Sequence, residues 1–330
     1  MEVDSFSFSH PPEYWRRLII SLLLFTAFVG RFSGGGPYPL AGMGSAAALL
    51  TFSFYLFNFL CTATTPLVAT ERAAGRERKA EAVGGQALSL SLGLGAALTA
   101  ALFLFRQPLL RLMGTGVTGA AANGYALDFL SVRAFAAPAV LCIEASTGVL
   151  RGYLDTRTPI VILIAANLLN LLLDVVLIVF AGLGPMGAAI ATTTSEWISA
   201  GLFLLVLAGK LPSAAGELGS NHEVSPGKRA SIVPLMSIPE FSEVKPLLVA
   251  SSSVFFRALV LQVSLSAAAA TAARGGDAMA TGAAASIAAH QIGIQVRFAA
   301  CCCTVMRVKL LFQEKLTSSL IPRPTALATV

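Results

Sequence analysis

The stretch Gly148-Val-Leu-Arg-Gly-Tyr-Leu-Asp-Thr-Arg-Thr-Pro159 decides the fold. Its polar centre, Arg151 to Thr158, is a short turn between two long apolar runs. The second of these, Ile160 to Phe180, contains Asn167, Asn170 and Asp174 and no other strongly polar residue. After Gly182 a third run, Met186 to Ala208, brings Thr192, Thr193, Thr194 and Glu196. Apolar segments of about 20 residues span a bilayer as helices. A carboxyl group inside such a helix is expensive, so Asp174 marks a candidate functional site.

The whole composition agrees with a membrane solvent. Of 330 residues, 55% are hydrophobic and only 12% charged, and the mean hydropathy is +0.76. A soluble domain carries about 25% charged residues, so half the charge needed for a water-facing surface is missing. The net charge of +6 comes from basic residues lying between apolar runs. Such placement indicates membrane topology and gives no nucleic-acid face. Cys61, Cys142, Cys301, Cys302 and Cys303 have neither metal-site nor disulfide-framework spacing. The three histidines, His10, His222 and His290, are scattered. No metalloprotease, nucleophile-elbow or phosphate-loop pattern occurs, which leaves most enzyme classes without a starting point. No cofactor or metal is expected beyond H⁺ or Na⁺ as a coupling ion.

Eight spans are expected: 18–29, 40–68, 87–105, 125–150, 160–180, 186–208, 246–273 and 284–303. Segment 1–15 is polar, 16–208 forms a six-helix lobe, and 209–245 is an inter-lobe linker on the cytoplasmic side. Segment 246–303 is a partial second lobe and 304–330 an atypical tail. Charged loops are expected at 71–81 and a connecting loop at 106–123. With the N-terminus inside, the inner segments hold Arg16, Arg17, Arg72, Arg76, Arg78, Lys79, Arg151, Arg157, Lys210, Lys228, Arg229 and Lys245. The outer loops hold only Arg31, Arg106, Arg111 and Arg274. That asymmetry satisfies the positive-inside rule and supports the helix count.

In this topology Ile160–Phe180 runs outward and Met186–Ala208 returns. Asp174 and Thr192 each fall about 9 Å below the outer turn, and Asn170 and Glu196 about 15 Å, at 1.5 Å per residue. Two polar pairs thus meet at matching depths. Asn167, Asn170 and Asp174 also share a helix face at i, i+3 and i+7. A desolvated carboxyl can take up and release a proton near neutral pH, and Asn and Thr oxygens can ligate Na⁺. Interhelical hydrogen bonding is the competing role for the asparagines. Glu144 near the inner turn and Arg257 in the seventh span are further cavity or coupling candidates. Asp128 and Arg133 can pair with each other or serve as interface residues.

These residues resemble the multidrug and toxic compound extrusion (MATE) family. The likeness rests on Gly148–Pro159, Asn170-Leu-Leu-Leu-Asp174, Gly187-Ala-Ala-Ile-Ala-Thr192, Ala288-Ala-His-Gln-Ile292 and Ala27-Phe-Val-Gly-Arg31. The Arg-Gly-x-x-Asp-Thr-x-Thr-Pro turn is most similar to the DinF-like branch, which includes plant plastid members. The resemblance implies an all-α integral membrane protein, with twelve helices in two six-helix lobes around a cavity. It implies H⁺- or Na⁺-driven antiport that exports small organic, cationic or amphipathic compounds and xenobiotics. It maps the N-lobe cation site onto Asp174, Asn170 and Thr192. Where the family's first helix carries an Asp before Thr-Ala-x-x-Gly, this chain has Phe25. The second lobe is expected to be truncated after one or two helices. Alternatives are a non-transporting half-bundle that only binds a partner, and a lipid-linked oligosaccharide flippase of the same superfamily. Plastid, vacuolar and plasma membranes all remain open as the location.

Overall fold

The structure, a computed structural model, describes residues 38–113 and 120–209, together with Phe256, Leu259, Val260, Val263, Ser264 and Ala267. The described residues are helical, without strands. In chain order the elements are α1 (Tyr38–Leu56), α2 (Phe59–Ala73), α3 (Glu77–Leu104), α4 (Arg106–Leu112), α5 (Ala120–Ala134) and α6 (Ala137–Gly152). Then follow α7 (Arg157–Asp174), continued by a π-helical turn at Val175–Phe180, and α8 (Gly184–Leu207). Among the described residues, four helical stretches are long and apolar enough to cross a membrane, or five when the bent pair α5–α6 counts as one span. The protein is an integral, multi-pass membrane protein. Residues 1–37 and 210–255, and everything beyond 267, lie outside the described residues, as do the first span, the linker, the tail and Arg257.

Small residues set the helix contacts. In a bilayer, apolar side chains gain little by leaving lipid, so association depends on close backbone approach. A Cβ on Gly42 would lie 2.4 Å from the Ala122 carbonyl oxygen, which places α1 directly on α5. Gly148 and Gly152 do the same for α6 against Cys61, Thr65 and Val68 of α2, where the Thr65 hydroxyl also donates to the Gly148 carbonyl at 3.1 Å. Two cores result. One joins Met43, Leu50, Leu130, Ile178 and Ala188; the other joins Leu88, Val149, Ile162, Phe203 and Leu207. Helix α8 belongs to both and ties the bundle together.

Three boundaries differ from the sequence expectation. The span 40–68 is longer, Tyr38–Ala73, and breaks at Phe57–Asn58, where Leu60 N–H reaches back only to the Phe57 carbonyl at 2.9 Å. The charged loop 71–81 shrinks to Ala74–Arg76, because its ions are satisfied while helical. Arg76 pairs with Glu71 through Nε at 2.6 Å, and Arg72 lies 3.7 Å from Glu77. Loop 106–123 contains α4 and the start of α5. The span 125–150 bends by 49° between α5 and α6, where Pro138 in the first turn of α6 removes a backbone donor.

At the inner end, Arg72 Nη1 donates to the Tyr153 carbonyl at 2.6 Å and its guanidinium lies 5.1 Å from the Tyr153 ring centroid. This clasp joins the α2–α3 turn to the α6–α7 turn. Asp155 accepts from the amides of Arg157 at 3.2 Å and Thr158 at 3.0 Å, satisfying donors that the first turn of α7 would otherwise leave open.

Candidate functional site: the α7–α8 hairpin

Helix α7 carries Asp174 at its last α-helical position, immediately before the π turn. Val175, Val176, Ile178 and Val179 crowd this segment with β-branched side chains. The wider turn is closed by Ala181 N–H donating to the Val176 carbonyl at 3.0 Å. Single π turns inside helices are frequent at functional sites. Gly187 of α8 passes close to the Leu177 carbonyl, with room for a Cβ only at 3.0 Å. The returning helix therefore packs tightly just beyond Asp174.

Asp174 is 1% exposed, and its Oδ1 has no hydrogen-bond partner among the described residues. No salt bridge among the described residues involves it. Asn170 Oδ1, one turn earlier on the same helix, is likewise buried and unpartnered. Buried polar atoms are nearly always bonded, so two orphaned acceptors one turn apart stand out. Thr192 turns its hydroxyl to its own helix, donating to the Ala188 carbonyl at 2.9 Å. Asn167 does the same through Nδ2 to the Leu163 carbonyl at 2.7 Å. No hydrogen bond joins Asp174, Asn170 and Thr192 to one another.

Glu196 has a different partner from the depth-matched Asn170. Its carboxylate receives both arms of the Arg133 guanidinium: Nη2 to Oε1 at 2.9 Å, and Nη1 to Oε2. Arg133 thus pairs with α8 and not with Asp128 of its own helix. This pair bridges 63 positions of sequence, a register that no local pattern encodes. Glu144 lies on α6, partly buried, with no hydrogen bond or ion pair among the described residues. Phe25 and Arg257 lie outside the described residues. No group of three or more His, Cys, Asp or Glu among the described residues could hold a metal.

The arrangement is an apolar hairpin with one desolvated acid and oxygen donors beside it. Comparison with known proteins places it. The MatE family model matches residues 18–176. Residues 18–176 thus form a MatE domain. It is 33% identical over 195 residues to Protein DETOXIFICATION 44, chloroplastic, of Arabidopsis thaliana, covering 56% of this chain and 37% of that protein. It is 33% identical over 199 residues to DNA damage-inducible protein F of Escherichia coli strain K12, covering 59% and 42%. The chain spans about two fifths of the length of those relatives. Its fold matches that of a multidrug resistance MATE family transporter of the MOP superfamily in an inward-facing conformation. The TM-score is 0.64 at 22% identity, with 84% of this chain and 60% of that one covered. A MOP superfamily transporter from Pyrococcus furiosus matches with TM-score 0.61 at 20% identity, covering 95% and 75%.

Proposed function

We propose that this chain supplies the N-terminal lobe of a secondary transporter that exports small organic compounds in exchange for H⁺ or Na⁺. The observation that carries the proposal is Asp174: a fully buried carboxyl without an ion-pair partner among the described residues, in a spanning helix. A structural role needs no charge at that depth, whereas a coupling role does. Asp174 is the cation- or proton-binding group, with Asn170 Oδ1, one turn earlier on α7, and Thr192 Oγ1 on α8 as the neutral oxygens that accompany it. Exchange follows from competition. A carboxylate that neutralises itself by taking H⁺ or Na⁺ loses its attraction for a cationic or amphipathic solute, so loading one releases the other. Cation arrival then repacks α7 against α8, the pair that holds the site. The relatives' names, multidrug resistance and DETOXIFICATION, support an organic substrate.

The test is export of a fluorescent organic cation from proteoliposomes containing the full chain, driven by a proton or sodium gradient. Gradient-driven export that Asp174→Asn abolishes supports the proposal. Gradient-driven export unchanged in Asp174→Asn refutes the role of Asp174. Absence of export from the unaltered chain refutes autonomous transport and leaves a partner-binding half-bundle as the reading.

A further inference from the structure

The bend between α5 and α6 is held in an unusual way. Pro138 has no N–H, so the carbonyl of Ala134, four residues earlier, loses its helical donor. The Thr99 hydroxyl of α3 supplies one at 2.8 Å. The next carbonyl, Phe135, receives the indole N–H of Trp197 on α8 at 3.1 Å. Just before the bend, Arg133 donates through both arms to Glu196 and through Nη1 to the Thr193 hydroxyl at 3.5 Å. Its guanidinium also lies 5.8 Å from the Phe54 ring centroid of α1. Three side chains within five consecutive residues of α8, Thr193, Glu196 and Trp197, therefore grip the C-terminal turn of α5 and the break that follows it.

Thr192, one of the oxygens assigned to the cation, immediately precedes this grip. Thr192 and Glu196 stand one helical turn apart on the same face. We infer that Glu196 and Trp197 are positioning residues that form a transmission joint: cation occupancy of the Asp174 site shifts α8, and the joint converts that shift into a change of bend at residues 135–136. The inference rests on the assignment of Asp174 as the coupling group. It adds where the coupling is delivered.

The joint is built to transmit. The Arg133 guanidinium is anchored on α1, α5 and α8 together. Trp197 donates to a carbonyl that belongs to the break, and any straightening of the span would claim that carbonyl for an intrahelical bond. Trp197 is nonetheless 47% exposed, so its ring is free to move with α8. Charged groups of the hairpin besides Asp174 are Arg157 on α7 and Glu196 on α8, and those on the helices packed around it are Asp128 and Arg133 on α5 and Glu144 and Arg151 on α6, with none on α1. Arg133 and Glu196 neutralise each other, which leaves Asp174 as the hairpin's unpaired acid.

The chain has two tryptophans, so Trp15→Phe makes Trp197 the single indole. Trp197 emission is followed in the full-length protein in liposomes during acidification and, separately, during addition of Na⁺. The expected result is a shift in the emission maximum with one of the two cations, lost in Asp174→Asn. Arg133→Gln and Glu196→Gln each slow exchange between about two- and thirtyfold, the range for residues that carry coupling between sites. The double exchange Arg133→Glu with Glu196→Arg restores both exchange and the emission shift. Should the charge variants fail to fold, Trp197→Phe removes the indole donor and retains a smaller aromatic ring. It slows exchange while leaving cation affinity unchanged. Emission that ignores both cations, while export still needs Asp174, overturns the joint and leaves the transport reading standing. Export and emission that both ignore Asp174→Asn overturn the transport reading itself.

Discussion

Gly95 offers the sharpest energetic test of how the bundle is assembled. A methyl added there would lie 2.4 Å from Pro138 Cα, 2.9 Å from Pro138 N and 3.2 Å from the Ala137 carbonyl carbon, all backbone atoms of α6. None of these can rotate away. Ordinary contact begins at 3.4 Å, so α3 and α6 must part by the difference, about 1 Å, at a typical overpacking cost of about 1–3 kcal/mol. The same displacement carries the Thr99 hydroxyl from 2.8 Å to about 3.8 Å from the Ala134 carbonyl, beyond hydrogen-bond range. That carbonyl has already lost its helical donor to Pro138, and leaving it unbonded costs about 1–3 kcal/mol more. Alanine recovers about 1 kcal/mol of helix propensity. The net expectation for Gly95→Ala is a loss of about 1–5 kcal/mol, combining the same three contributions. Gly93, on the same helix, has nothing within 4 Å of its Cβ position. Gly93→Ala should therefore keep only the propensity gain. Thermal or detergent-unfolding midpoints of the purified proteins compare the two directly. Equal midpoints for Gly95→Ala and Gly93→Ala would refute the packing argument.

Two further outcomes follow from the inner face of the bundle. Asp155→Ala removes the acceptor for the Arg157 and Thr158 amides and should lower the unfolding midpoint by about 1 kcal/mol equivalent, with Asp155→Asn recovering part of it. Burial of Tyr153, reinforced by the charges of Glu77 and Glu81 and opposed by Arg72, pushes its phenol up from 10.0 to about 12. The folded protein thus holds a proton that the unfolded chain releases, so this contribution to stability is whole below pH 10.0 and disappears as the pH rises through about 12. A phenolate absorbance titration should show a late phase that Tyr153→Phe removes. A titration identical in the two proteins would refute the placement of that ring.

Much of the fold could be read from apolar run length, because a bilayer forces every spanning segment into a helix with its backbone bonds closed internally. The hairpin around Asp174 was legible for that reason, and the acid stood out against Ile160–Phe180 as the single charge in the run. The α2–α3 turn was not. Charge looked like loop, yet Glu71, Arg72 and Glu77 stay helical, Arg72 pairing with Glu77 and Glu71 with Arg76 of the short turn. The Arg133–Glu196 bridge was hidden for another reason: depth counting along one hairpin cannot tell which neighbouring helix approaches Glu196. The π turn was invisible as well. Val175–Phe180 is uniformly apolar, and a segment without polar residues has no periodicity from which to detect a change of pitch. Thr99 and Trp197 gave no sign of their role until the bend supplied two free carbonyls.

The length of the first hairpin has a practical consequence. Tyr38–Ala73 is 36 residues and Glu77–Leu104 is 28, or about 54 and 42 Å of helix against a hydrocarbon thickness of about 30 Å. Its tip must stand well clear of the lipid on the basic side of the bundle. At that tip Gly75 adopts a φ of +72°, and a Cβ added there would meet no atom within 4 Å. This is an open handle: a short epitope spliced between Ala74 and Arg76 would report, by antibody access in sealed organelles, which compartment the inner face looks into.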